Sequence, residues 1–169
     1  MAALLDFDEL AQSLSPRQRL IGADLGSKTI GLALSDVERR IATPLETIRR
    51  TKFTKDAERL IELMDRFEVA ALVLGLPLNM DGSEGKSAQS ARAFARQFSA
   101  LSGRPCLFWD ERLSTVAVTR SLIELDVSRS KRAKVVDQMA AAYILQGALD
   151  RLNRLAMTRG GLVSGHPVS

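Results

Sequence analysis

A chain of 169 residues, 46% hydrophobic and 26% charged, is sized for one globular domain with a sizeable core. The net charge is +4, and no apolar run nears the roughly 20 residues of a membrane helix. A single cysteine excludes an internal disulfide, and a single histidine, placed in the tail, argues against a zinc cluster and a Ser-His-Asp or Cys-His centre. Cys106 sits in an apolar run as a small core residue, and His166 lies in the tail GGLVSGHPVS. Any catalysis is left to carboxylates, lysines or a carboxylate-bound metal.

The opening MAALLDFDEL has acids and no basic start, unlike an export signal, so a cytoplasmic location is expected. Leu4, Leu5, Phe7, Leu10 and Leu14 predict a short amphipathic helix before Pro16, in an extension spanning residues 1–17. The stretch RLIGADLGSKTIGLALSD, residues 19–36, reads as two strands of a hairpin, with Gly26 expected in a turn conformation that side chains disfavour. Asp24 interrupts the first strand. It is either a turn aspartate capping the Gly-Ser-Lys loop or a buried carboxylate with a partner still to be found. Residues 41–48 form a third strand, and Pro44 marks an edge or a bulge.

The period then changes. Ala57, Leu60, Ile61, Met64 and Phe67 trace one face of a helix, with Thr54 as expected N-cap. Residues 70–74 form a doubly buried strand, and GLPLNMDGSEGKS follows. That loop resembles a phosphate loop, but the spacing demands glycine at position 80, where Met80 stands. The nucleotide-loop reading is rejected, although Lys86 and backbone amides there can still meet phosphate. A helix with Ala91, Phe94, Ala95, Phe98 and Leu101 on one side ends at Gly103, and a strand from Cys106 to Trp109 runs into Asp110, Glu111 and Arg112. The run SRSKRAK, holding Arg129, Lys131, Arg132 and Lys134, is expected to be a mobile loop against a phosphate backbone. A last helix begins near Val135 with Asp137 in its first turn and ends near Met157, leaving residues 158–169 as a flexible tail. Its buried face is expected to hold Val136, Met139, Ala140, Tyr143, Ile144 and Gly147.

The order β-β-β-α-β-α-β predicts an α/β domain over residues 18–157. Its mixed five-stranded sheet combines an antiparallel meander with parallel strands and is flanked by helices. Residues 92–159 carry twelve Lys/Arg against six Asp/Glu, which favours a polyanionic partner. Carboxylates at two strand ends and one helix start converge at one end of such a sheet. Converging carboxylates repel, and a divalent cation between them relieves that. Such a site suits metal-assisted phosphodiester cleavage, one metal activating water and another stabilising the leaving oxygen. Between Asp110 and Glu111, strand alternation does not choose until the active face is known.

Four blocks in order, GADLGSKTIGLALSD, VLGLPLNMDGSEG, DERLST and VDQMAAAYIL, resemble the YqgF family of RuvX-like proteins. The resemblance covers about residues 18–157. It implies a ribonuclease H-like fold and a nuclease, either of pre-16S rRNA 5′ ends in ribosome biogenesis or of Holliday junctions in DNA recombination and repair. It also implies Asp24, Glu111 and Asp137 as catalytic, metal-holding acids, with Mg²⁺ or Mn²⁺ as cofactor. Pre-rRNA or branched DNA is the expected partner, bound through Lys28, Lys86, Arg112, Arg129, Lys131, Arg132 and Lys134. No membrane is involved, and both monomer and homodimer stay open. Two readings of other classes compete: a nucleic-acid-binding protein that does not cut, and an ATP-binding domain of the actin and sugar-kinase type. The latter needs a second Asp-x-Gly segment and a second domain. For Arg112 the expectation is contact with the scissile strand, the alternative a pairing with Asp110.

Overall fold

The computed structural model describes residues 4–113 and 129–164, with side chains in the last helix from 136 to 158. Strands β1 (Arg19–Leu25) and β2 (Thr29–Ser35) pair antiparallel as the expected hairpin, with Asp24 opposite Gly31. Gly26 does not adopt the left-handed conformation expected of it. It is small for another reason: a Cβ there would lie 3.0 Å from the Thr29 carbonyl, which accepts the Gly26 N–H at 2.9 Å. Strand β3 (Ala42–Arg49) joins β2 antiparallel. The register skips Leu45, because Leu32 faces Glu46 while Ala33 faces Pro44, so Pro44 sits both at a bulge and in an edge strand.

Helix α2 (Phe53–Arg66) starts from Lys52, not from Thr54. The buried Asp56 carboxylate reaches back to accept the Thr51 N–H at 3.1 Å and its hydroxyl at 3.2 Å. The acid fastens the residue before the N-cap to the first turn, and no side chain caps the first N–H groups of the helix. Strand β4 (Val69–Leu76) runs parallel to β1 on its other side. Helix α3 (Lys86–Ser102) ends at Gly103, left-handed at φ 71°, and β5 (Cys106–Asp110) runs parallel to β4. The sheet order is β3-β2-β1-β4-β5, the mixed five-stranded arrangement that the element order predicts.

Each central strand alternates between two cores. Ile21, Ala23, Leu72 and Leu74 face α2 and α3, where Phe94 and Phe98 stack at 6.0 Å. Leu101, expected on that side, is 52% exposed. Leu20, Ala71, Val73, Leu107 and Trp109 face a long helix, α4 (Arg129–Ser164), which buries Ala141, Ile144, Leu145 and Leu149 against them. Tyr143 only borders that core, in contrast to the face expected from the sequence. Helix α4 begins before Val135 and extends past Met157, so the backbone of the SRSKRAK run from Arg129 onward is helical and not a loop. The predicted N-terminal helix, α1 (Phe7–Ser13), carries an Asp6–Glu9 capping box, and its Phe7 ring meets Trp109 edge-on at 6.0 Å. Cys106 is fully buried, and burial pushes its thiol up to about 12.

One ion pair ties the β3 edge to α2. Arg59 Nε and Nη2 donate to the Glu46 carboxylate at 2.8 and 2.6 Å. The Arg59 hydrogen bonds hold the Glu46 carboxyl below its ordinary range, although burial opposes them. A lowered folded value means that the stabilisation is complete above the unfolded carboxyl range and is lost as pH falls through the folded one. Glu46→Gln is therefore expected to cost at most about 1 kcal/mol at neutral pH, the pair being partly solvated. Urea titrations at about pH 7 and about pH 3 check this, with the difference between the proteins shrinking in acid.

Candidate active site

Asp24 sits at the C-terminal end of the central strand and is 7% exposed. Gly22, two residues before it, marks the face on which its side chain lies. A Cβ on Gly22 would stand 2.6 Å from Leu145 Cβ, so residues of this parity face α4. Across β2, a Cβ on Gly31 would fall on the Asp137 carbonyl and lie 2.8 Å from Asp137 Cβ. The bare Gly31 backbone is the seat on which α4 brings Asp137 beside Asp24. On the other flank, Ala23 pairs with Leu74 of β4, and the next β4 residue is Gly75. A Cβ on Gly75 would stand 3.4 Å from the Glu111 carboxyl carbon. Asp24 thus lies between two glycines, one facing Asp137 and the other facing Glu111.

The same alternation separates the two acids at the end of β5. Phe108 packs against the α2/α3 core, whereas Leu107 and Trp109 belong to the α4 core. Glu111, opening a short 3-10 turn over Glu111–Leu113, continues the Trp109 parity to the Asp24 side. Asp110 points the other way and is taken by Arg112, whose Nη2 donates to it at 2.7 Å and Nε at 3.1 Å. Those hydrogen bonds hold the Asp110 carboxyl below its ordinary range. Arg112 Nη1 also donates to the Met80 carbonyl at 3.3 Å, tying β5 to the glycine-rich loop. The guanidinium expected on a scissile strand is held by Asp110, the alternative arrangement.

Asp137 lies more than two turns inside α4, beyond the reach of the helix-terminus field that a first-turn position would offer. Its carboxylate accepts a hydrogen bond from the Thr29 hydroxyl. Among the described residues, no three His, Cys, Asp or Glu side chains come close enough to hold a metal ion as one cluster. Three hard oxygen donors along one sheet end still suit Mg²⁺, which takes one or two carboxylates and fills its octahedron with water and substrate phosphate.

Lys28 is exposed in the hairpin turn, and its carbonyl accepts the Arg50 N–H at 2.9 Å. Lys86 opens α3 and lines a cavity of about 130 Å³ together with Gly26, Ser27, Arg50, Ser87 and Ser90. This polar notch lies at the same sheet end on the α3 side. Arg129, Lys131, Arg132 and Lys134 occupy the α4 turns before Asp137, with side chains outside those described. Sequence reasoning missed Thr29, Arg50 and the three glycines. Gly22, Gly31 and Gly75 did carry a signal, since glycine inside or at the end of a buried strand marks a close approach.

A five-stranded mixed sheet in this order, with an acid at the end of its central strand, is a ribonuclease H-like fold. Two solved structures share it, both RuvC of Thermus thermophilus. One is in complex with a Holliday junction substrate (TM-score 0.51, 15% identity, 80% of this chain and 96% of that one). The other is RuvC with TM-score 0.50 and 16% identity, over 80% and 97% of the two chains. The family model described as RuvX: Holliday junction resolvase matches residues 18–151, and the chain belongs to that family. A Methylocella silvestris relative is 68% identical over 154 residues, 91% of this chain and 96% of its own length. One from Beijerinckia indica is 70% identical over 149 residues, 88% and 90%. Each carries the name of a proposed pre-16S rRNA nuclease.

Proposed function

We propose that this chain is a metal-dependent nuclease that hydrolyses phosphodiester bonds at the 5′ end of pre-16S rRNA, with Asp24, Glu111 and Asp137 as its metal-holding acids. The observation that supports this reading is Gly31 beside Asp24, whose bare backbone seats the Asp137 turn of α4, with the Glu111 carboxyl in ordinary contact range of Gly75 on the other flank. Asp24 is set by the central strand, Glu111 by the turn closing β5, and Asp137 by α4 with the Thr29 hydroxyl orienting its carboxylate. A bound Mg²⁺ or Mn²⁺ would supply Lewis-acid polarisation of the phosphate and a water of lowered pKa. Lys86 and Arg50 bind phosphates away from the cut on the α3 side, with Lys28 in the adjoining hairpin turn, and Arg129, Lys131, Arg132 and Lys134 of α4 are further phosphate-binding residues in this reading.

The names of the relatives favour RNA. The family description and the junction-bound RuvC favour four-way DNA, the second reading. The deciding experiment presents the purified protein with a precursor 16S 5′ end and a four-way DNA junction side by side, in Mg²⁺ and in EDTA. Cleavage of the precursor in Mg²⁺ only is expected. Symmetric junction cleavage by a dimer, with the RNA untouched, would reverse the substrate assignment. No cleavage of either would leave a binding protein.

A further inference from the structure

The opposite end of β1 carries a second basic site. Arg17 in the turn before β1, Arg19 at its first residue and Arg66 at the last residue of α2 line one cavity of about 180 Å³ with Val37, Phe67 and Glu68. The guanidinium carbons of Arg19 and Arg66 stand 5.6 and 5.3 Å from the centre of the Phe67 ring. Arg19 Nε is withdrawn from solvent and has no hydrogen-bond partner among the described residues. Among those residues none of the three arginines makes an ion pair either, whereas Arg59, Arg92, Arg104 and Arg112 each hold a carboxylate. Three cations converging on one cavity against the single Glu68 carboxylate leave an excess of positive charge that an anion relieves. One non-glycine residue of its wall, Arg17, is left-handed at φ 71° away from any helix end, whereas Glu68 at φ 54° simply follows the C-cap of α2. Such backbone costs roughly 1 kcal/mol or more per residue and concentrates at functional sites.

A second, mostly apolar cavity of about 350 Å³ adjoins the first, sharing Arg19 and Phe67; Leu34, Pro44 and Leu45 line it with Ser35, Thr43 and Asp36, whose carboxylate is occupied by the Arg40 and Ile41 N–H groups. A guanidinium-rich hollow beside an apolar cleft has the chemistry of a phosphate carrying an unstacked base. We infer that this groove binds one phosphate and its neighbouring base in a single-stranded RNA segment, gripping the substrate at a distance from the cut. Asp24 lies five positions after Arg19 on β1, about 17 Å away and of the opposite parity, and both faces of β1 are covered, so a bound strand reaches both ends by passing around the edge of the sheet. A paired strand keeps its bases stacked and offers none to the cleft. The inference rests on the RNA-nuclease reading for its ligand and on the arginine groove for its location.

The test uses the full chain in EDTA, where no cutting occurs, with a labelled single-stranded RNA of about 20 nucleotides and, separately, adenosine monophosphate. Arg17→Gly and Arg66→Gln are measured singly and together. Glycine accepts the left-handed backbone, so Arg17→Gly should not lower the melting temperature, and weaker binding by it is not unfolding. The double variant is expected to bind RNA about tenfold more weakly. Its log–log salt slope should flatten by about 0.7 for each phosphate that the variant no longer neutralises. Unchanged RNA affinity and slope in the double variant would overturn the inference. So would loss of nucleotide binding with RNA binding intact, which makes the groove a site for a free nucleotide. Failure of the wild type to cleave RNA would sink the catalytic reading and leave this binding result standing.

Discussion

Asp24→Asn, Glu111→Gln and Asp137→Asn are each expected to lower cleavage by at least about a hundredfold, the scale of losing one preorganised charged group from a reaction site. The amide keeps the volume and one acceptor oxygen of each carboxylate but removes the charge that a hard cation requires. Melting temperatures should stay close to that of the wild type, because no backbone seat changes. Asp110→Asn is the internal control. It sits one residue from Glu111 but faces the other side of the sheet, where it holds Arg112. It should weaken that pairing and spare most of the activity. Single-turnover cleavage in excess Mg²⁺, with a melting curve for each variant, reads the result. Wild-type cleavage by any of the three variants would remove that acid from the site, and an equal drop in Asp110→Asn would place the reacting face on the other side of the sheet.

Gly31→Ala is expected to be the most damaging glycine-to-alanine change among the described glycines. The added carbon would fall on the Asp137 carbonyl, which belongs to backbone and cannot rotate away. Either α4 lifts from the sheet or β2 bends. Overpacking a rigid interior typically costs 1–3 kcal/mol, and a backbone clash belongs at the upper end, about 3 kcal/mol. At this chain length that is a fall of roughly 6–12 °C in melting temperature. Activity should fall further than stability explains, since a lifted α4 carries Asp137 away from Asp24. Gly85→Ala is the comparison, because a Cβ there would meet nothing within 4 Å and the residue is not left-handed. Calorimetry of both variants, with cleavage measured well below either transition, separates the two effects. A Gly31→Ala protein that melts and cuts like the wild type would mean that α4 is not seated on this glycine.

Much of the fold is legible in the sequence because its signals are local. Alternation and glycine placement write the hairpin, Pro44 announces the β3 bulge, and Gly103 stops α3 in the left-handed conformation that suits it. The departures from expectation share one cause. Thr54 is the better N-cap by propensity, but the buried Asp56 finds Thr51 across the helix start. Gly26 is a common turn residue, yet a close carbonyl and not a left-handed backbone is what crowds a side chain there. The basic run before Asp137 is too polar for a core and so reads as a loop, whereas a polar segment is also free to extend a helix whose buried face begins later.

The candidate site divides along the same line. From sequence alone come an acid in a buried strand, two more at a strand end, one on the last helix, and the family blocks that contain them. Periodicity places a side chain on one of two faces and is silent on which face is shared. Between Asp110 and Glu111 the family resemblance chooses Glu111, and the assembled sheet supplies the physical reason: it sets Glu111 on the Asp24 side and turns Asp110 toward Arg112, because the face depends on which layer α4 covers. Only the packing shows Gly31 as the seat that brings Asp137 beside Asp24, and Gly75 as the seat of Ile144, with Glu111 alongside. The groove of Arg17, Arg19 and Arg66 is equally tertiary, since those residues come from a turn, a strand start and a helix end up to 49 positions apart in the chain. A residue's chemistry is written in its own side chain. Its partners are set by where distant backbones can approach, and that depends on atoms, here often missing Cβ atoms, that belong to other elements.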